Sequence, residues 1–148
     1  MYNSKTIITI SFIFIATMAL AQHQHGKGMM YHMYDPSSEV TVSGTVEDTV
    51  TEVHPCCGST MNHYYIKVKT NNETVKIFLG PTDYVKSKIT IKKGDNVTVL
   101  GSKTTMNNET VIITKTVKTK DKEVTFRNDD GTPKWAGQMK YKKYKMNQ

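Results

Sequence analysis

Two clusters of soft metal-ligand residues dominate the chemistry this chain could perform. Residues 22–33, QHQHGKGMMYHM, carry His23, His25, Met29, Met30, His32 and Met33. A second run, HPCCGSTMNH, carries His54, Cys56, Cys57, Met61 and His63. Imidazole, thioether and thiolate together suit copper, and zinc less well, far better than calcium or magnesium. No pattern of a catalytic centre accompanies them, so the expectation is a binding protein and not an enzyme.

Cys56 and Cys57 are the only two cysteines in the chain. Adjacent residues have Cα atoms about 3.8 Å apart across a trans peptide, whereas unstrained disulfides span about 4.4–6.8 Å. Three states remain open: a strained bond between neighbours, pairing with another chain, or thiolates held by a metal. Zinc accepts two Cys and two His, but adjacent cysteines on one short loop fit its tetrahedral spacing poorly. The segment 22–33 needs no prior structure to gather copper, since His- and Met-rich tracts bind metals by composition. If the chain is cut before Gln22, its new amine and the His23 imidazole add a nitrogen pair.

That cut is itself an expectation. Residues 1–21 read as a secretory signal: Lys5 before an apolar run from Ile7 to Ala16, then Ala19-Leu20-Ala21 as the small-x-small site. The run is shorter than the 18 or more residues that a membrane span needs. A periplasmic or secreted protein is expected, without a transmembrane segment after cleavage. The formal net charge is +7, partly concentrated in a basic tail where Lys140, Lys142, Lys143 and Lys145 interleave with Tyr141 and Tyr144. Such a tail could track a nucleic-acid backbone, but export argues against that partner, and a solvated or envelope-touching tail is the plainer reading.

The elements that must position these residues are strands. Residues 39–128 are dense in Val, Ile and Thr with period-two alternation. A long first strand spans Val40 to Val53, interrupted at Gly44; His63–Lys69 and Thr74–Leu79 form a hairpin. Pro81–Lys88 offers a short helix with Pro near its start. Strands follow at Asn96–Gly101, Thr110–Lys118 and Glu123–Arg127. The order predicts an all-β fold, a small five- to six-stranded OB-like Greek-key barrel with one short helix, with an SH3-like barrel or an open sandwich as alternatives that the helix between the third and fourth strands disfavours. In this division 1–21 is the signal, 22–38 a flexible His/Met-rich leader, 39–137 the barrel and 138–148 the tail. The second cluster then falls in the loop between the first two strands, and Trp135 packs as a cap on the barrel.

Four short motifs carry a resemblance. They are Val42-Ser43-Gly44-Thr45-Val46, Leu79-Gly80-Pro81-Thr82-Asp83-Tyr84, and Gly94-Asp95-Asn96-Val97-Thr98-Val99-Leu100-Gly101. Arg127 with Gly131, Pro133, Trp135 and Gly137 completes the set. The pattern resembles small exported bacterial OB-fold proteins and, more loosely, a domain of magnetosome-associated periplasmic proteins. The resemblance implies export, an OB-like barrel and a binding role, and it fixes no ligand. There is no Cys-x-x-Cys-His haem attachment motif.

The reading that follows is a small exported metal-binding protein, with copper as its ligand for scavenging, transfer or tolerance. A partner protein in the cell envelope would fit transfer. The alternative is a metal-free binding module for an envelope oligosaccharide, a small ligand or a protein, with Tyr64 and Tyr65 as the residues to inspect.

Overall fold

The computed structural model describes residues 33–56 and 59–137. A 3-10 turn, Pro36–Ser38, leads into β1 (Glu39–Cys56), β2 (Ser59–Lys69) and β3 (Thr74–Pro81). Helix α1 (Thr82–Lys88) follows, then β4 (Asn96–Met106), β5 (Glu109–Lys118) and β6 (Glu123–Thr125). The sheet runs β3-β2-β1-β4-β5-β6, and a further pairing joins β3 to β5. That pairing is parallel, from Lys76↔Val111 to Phe78↔Ile113, and it closes five strands into a near-complete ring. Long β1 makes closure feasible: its first half pairs with β4 and its second half with β2. With the helix between β3 and β4, this is the expected OB-like barrel.

Local chemistry explains the course of β1. Gly44 does not interrupt it, contrary to the expectation from the sequence. A Cβ there would lie 2.1 Å from the Lys69 carbonyl oxygen, so glycine lets β1 cross close to β2 without breaking the ladder. The register slips slightly later, between Val46 and Asp48. Val46 turns its backbone to the β4 approach instead, donating to the Asp95 carbonyl at 2.8 Å and accepting from the Gly94 N–H at 2.8 Å. The Gly94-Asp95 motif thereby ties the start of β4 to the bend in β1.

Several strands run further than alternation suggested: β2 starts at Ser59 and not at His63, β1 extends to Cys56, β3 runs past Leu79 to Pro81, and β4 extends past Gly101 to Met106. The β4–β5 turn is Asn107-Asn108, with φ of 49° and 63°. Positive φ at both central positions is the hairpin geometry that asparagine tolerates.

The core gathers Val46, Ile66, Val68, Ile77, Val99 and Ile112 from the five ring strands, and Phe126 follows β6 into it. A clasp seals one side. Trp135, 9% exposed, lies over Gly80, where a Cβ would sit 2.9 Å from its ring. It also packs 5.5 Å from Tyr84 and 5.1 Å from the Arg127 guanidinium. Arg127 is buried, donates from Nη1 to the Gly131 carbonyl at 2.9 Å, and bridges to Pro133. The motif Arg127 to Trp135 thus meets the motif Leu79 to Tyr84 in space, and Trp135 is the packing residue expected of it.

The fold begins before Glu39. Tyr34, placed in the leader by the sequence reading, is buried, donates to Glu39 Oε1 at 2.7 Å and lies 5.4 Å from Arg127. Asp35 donates its N–H to Ser102 Oγ at 3.0 Å. Lys115 bridges Glu39 at 3.2 Å and Asp129 at 3.0 Å, joining both ends of the domain. The signal (1–21), the tail (138–148) and the leader up to His32 lie outside the described residues. No helix among the described residues is long and apolar enough to cross a membrane.

Candidate functional site

Apart from Cys57, which lies outside the described residues, the second ligand cluster lies on the paired strands β1 and β2 and not in a loop between them. Residues directly opposite in an antiparallel pair share a face of the sheet, and so do residues two apart on one strand. The register pairs Glu52↔His63, His54↔Met61 and Cys56↔Ser59. Glu52, His54, Met61 and His63 therefore occupy one face near the hairpin tip, two pairs along from Val50↔Tyr65. Cys56 ends β1 at the tip, and its side chain lies outside the described residues, as does Cys57.

The two imidazoles touch. Their ring centroids are 4.7 Å apart with planes 30° from parallel. His63 is 9% exposed, its edge meets Phe78 at 5.3 Å, and its Nδ1 has no hydrogen-bond partner among the described residues. Burial, with the His54 charge adding to it, holds the His63 imidazole down to about 4 despite the opposing pull of Glu52. It is therefore neutral at ordinary pH, the form in which an imidazole nitrogen can ligate a metal.

His54 is held from the other side. Its Nε2 lies 3.5 Å from Glu52 Oε2 and 3.4 Å from the Tyr65 hydroxyl. Glu52 Oε1 accepts from Lys76 Nζ at 2.7 Å, and Lys76 reaches Glu109 Oε2 at 3.2 Å. The Lys76 ammonium sits 4.8 Å over the Tyr65 ring. The hydrogen bond from Lys76 outweighs burial and holds the Glu52 carboxyl below its usual range. Burial lowers Lys76, but its bonds to Glu52 and Glu109 outweigh that and keep it firmly protonated. Burial, then the nearby Glu52 and Glu109 charges, push the Tyr65 phenol upward, so it stays protonated.

Alternation along β1 already sets Glu52 beside His54, so that neighbour was legible. Lys76 and Glu109 were not, because they arrive from β3 and β5. Tyr64 and Tyr65, candidates for an open aromatic platform, are both buried. Tyr64 reaches the Ile91 carbonyl at 3.4 Å under Lys86, and Tyr65 packs on Phe78.

Of the other expected ligands, Met33 is half-buried against the core. His23, His25, Met29, Met30 and His32 lie outside the described residues. Among the described residues, no group of three or more His, Cys, Asp or Glu side chains is gathered closely enough to hold a metal ion. His54 and His63 are the pair of expected ligands whose side chains the described residues bring into contact.

The fold and this hairpin define a small OB-type barrel with its polar cluster on the β1–β2 arm. A family model described as the MamS/MamX magnetosome protein family matches residues 38–124, and the chain belongs to that family. The match runs from the 3-10 turn into β6; it includes the hairpin and stops short of the Arg127–Trp135 clasp. No curated protein matches the chain.

Proposed function

We propose that this protein binds copper outside the cytoplasm, for scavenging, transfer or tolerance. His54, His63, Met61, Cys56 and Cys57 form the folded site, and the segment 22–33 forms an accessory one. The observation that carries the reading is the pairing of His54 with Met61, with His63 stacked 4.7 Å from His54 on the same face. That arrangement puts His54, His63 and Met61 on one face of the hairpin. A neutral, buried imidazole whose Nδ1 has no partner among the described residues costs free energy unless something satisfies it, and a soft ion would do so. Zinc is the second metal, disfavoured by the adjacent cysteines. Family membership supplies the fold and names no ligand.

The test is competition against a Cu(I) chelator, using reduced protein and a Cys56→Ser, Cys57→Ser double variant. Hydroxyls replace thiolates in size but not as soft ligands, so the variant should keep its fold and lose the tight site. Affinity of the wild type should fall on mild acidification, as protons compete for thiolate and imidazole. Equal affinity of the two proteins would remove the cysteines from the site and return them to the disulfide reading.

A further inference from the structure

We infer that the second half of β1 is an association edge, along which a second copy of this chain pairs strand to strand. Strand β4 lies beside β1 only from Glu39 to Thr45, and β2 takes the opposite edge from Thr45 to Cys56. Beyond the bend, one edge of β1 therefore has no neighbouring strand among the described residues. Alternation assigns the main-chain groups that face it. Val46 turns its N–H and carbonyl away from β2, to Asp95 and Gly94. Glu47 is the extra residue of the bulge, so the outward positions after it are Thr49, Thr51, Val53 and Pro55. Two contacts agree with that assignment. The Thr49 N–H goes to Asp48 Oδ1 at 2.9 Å and not to β2. Asn62, opposite Val53, accepts from Thr82 Oγ1 at 3.1 Å on its carbonyl, on the side of β2 that faces away from β1.

Exposed strand edges recruit other strands unless something blocks them. Here the blocks leave a gap. Asp48 occupies the Thr49 N–H, and Pro55 has no N–H to offer. Between them Thr51 and Val53 keep open donors and acceptors, and Val53 is a large hydrophobic side chain left 62% exposed. These features select the partner and its register. An antiparallel copy centred on Thr51 would need the Thr49 N–H that Asp48 already holds. One centred on Glu52 would set like carboxylates opposite each other, which is unfavourable. Centred on Val53, the copies exchange N–H···O bonds between their Val53 residues, and each Thr51 N–H meets the other chain's Pro55 carbonyl. Every bond in that register uses an open donor, the exposed valines cover each other, and Glu52 stands opposite His54. The same patch serves both copies, so the contact closes as a two-fold dimer.

Sedimentation velocity of the full chain over a concentration series tests this, with reductant and chelator present so that neither a disulfide nor a metal bridges the copies. The expected result is a monomer–dimer equilibrium. Val53→Lys should weaken it about 100-fold, since burying each valine is worth roughly tenfold and both are lost together. Thr41→Lys puts the same charge on an exposed position where β4 already pairs with β1, and should leave the equilibrium unchanged. Thermal melts confirm that both variants are folded. In the wild type, amide hydrogen exchange should show Thr51 and Val53 protected in concentrated protein and open in dilute protein. A monomer at every concentration overturns the inference. So does a dimer that survives Val53→Lys, or one whose Thr51 and Val53 amides stay unprotected. None of these outcomes depends on copper.

Discussion

Acidification should destabilise the metal-free protein through His63, and the size of the effect follows from its burial. In the unfolded chain this imidazole takes a proton near pH 6.5, whereas in the folded chain burial holds it neutral to about 4. Between those values the unfolded state binds more protons, so stability falls as pH falls, and the contribution levels off below about 4. The full effect is bounded near 3 kcal/mol at about 1.4 kcal/mol per pH unit. The step from about pH 7.5 to about pH 5 accounts for about 2 kcal/mol of it. For a domain of this size that corresponds to a drop in Tm of roughly 8–15 °C. Urea titrations at the two pH values, with chelator present, should show this loss in the wild type. His63→Gln puts an uncharged polar group in the same place, and its stability should change far less over the same step. Equal slopes for the two proteins would mean that His63 titrates normally, and that the hairpin opens enough to hydrate it.

Two further outcomes test the packing. Trp135→Ala should cost about 3–5 kcal/mol by denaturant titration, since the indole fills the space over Gly80 and beside Tyr84; a negligible loss would place Trp135 outside the core. Truncation up to His32 should leave Tm nearly unchanged, while further removal of Met33–Asp35, or Tyr34→Ala alone, should lower it by the equivalent of about 2–4 kcal/mol. The ring of Tyr34 is buried and its hydroxyl binds Glu39, so equal melts for the two truncations would refute that docking.

The residue order carries much of this molecule on its own. Alternation of Val, Ile and Thr specifies the strands, because each must bury one face. Pro81 ahead of an amphipathic turn specifies the helix, and the helix between the third and fourth strands specifies the barrel type. The ligand chemistry is also a property of composition: adjacent cysteines, imidazoles and thioethers remain soft donors in any fold. What alternation could not reveal was the length of the hairpin. His54-Pro55-Cys56 and Ser59-Thr60-Met61 are not apolar-polar repeats, so their pairing depends on β1 and β2 already being in register below them. That extension turned an expected loop into a paired face and set His54 against Met61.

Closure of the ring decided the rest. Lys76 meets both Glu52 and Glu109 only because β3 pairs with β5 while β2 carries β3 alongside β1. The two tyrosines of β2 alternate as the sequence requires, yet both are buried, since His54, Phe78 and Lys76 cover one side and the α1 region covers the other. Period-two patterning reports which face a side chain takes. Whether that face is wet depends on elements brought from elsewhere in the chain, and those contacts exist only after the long-range pairings have formed.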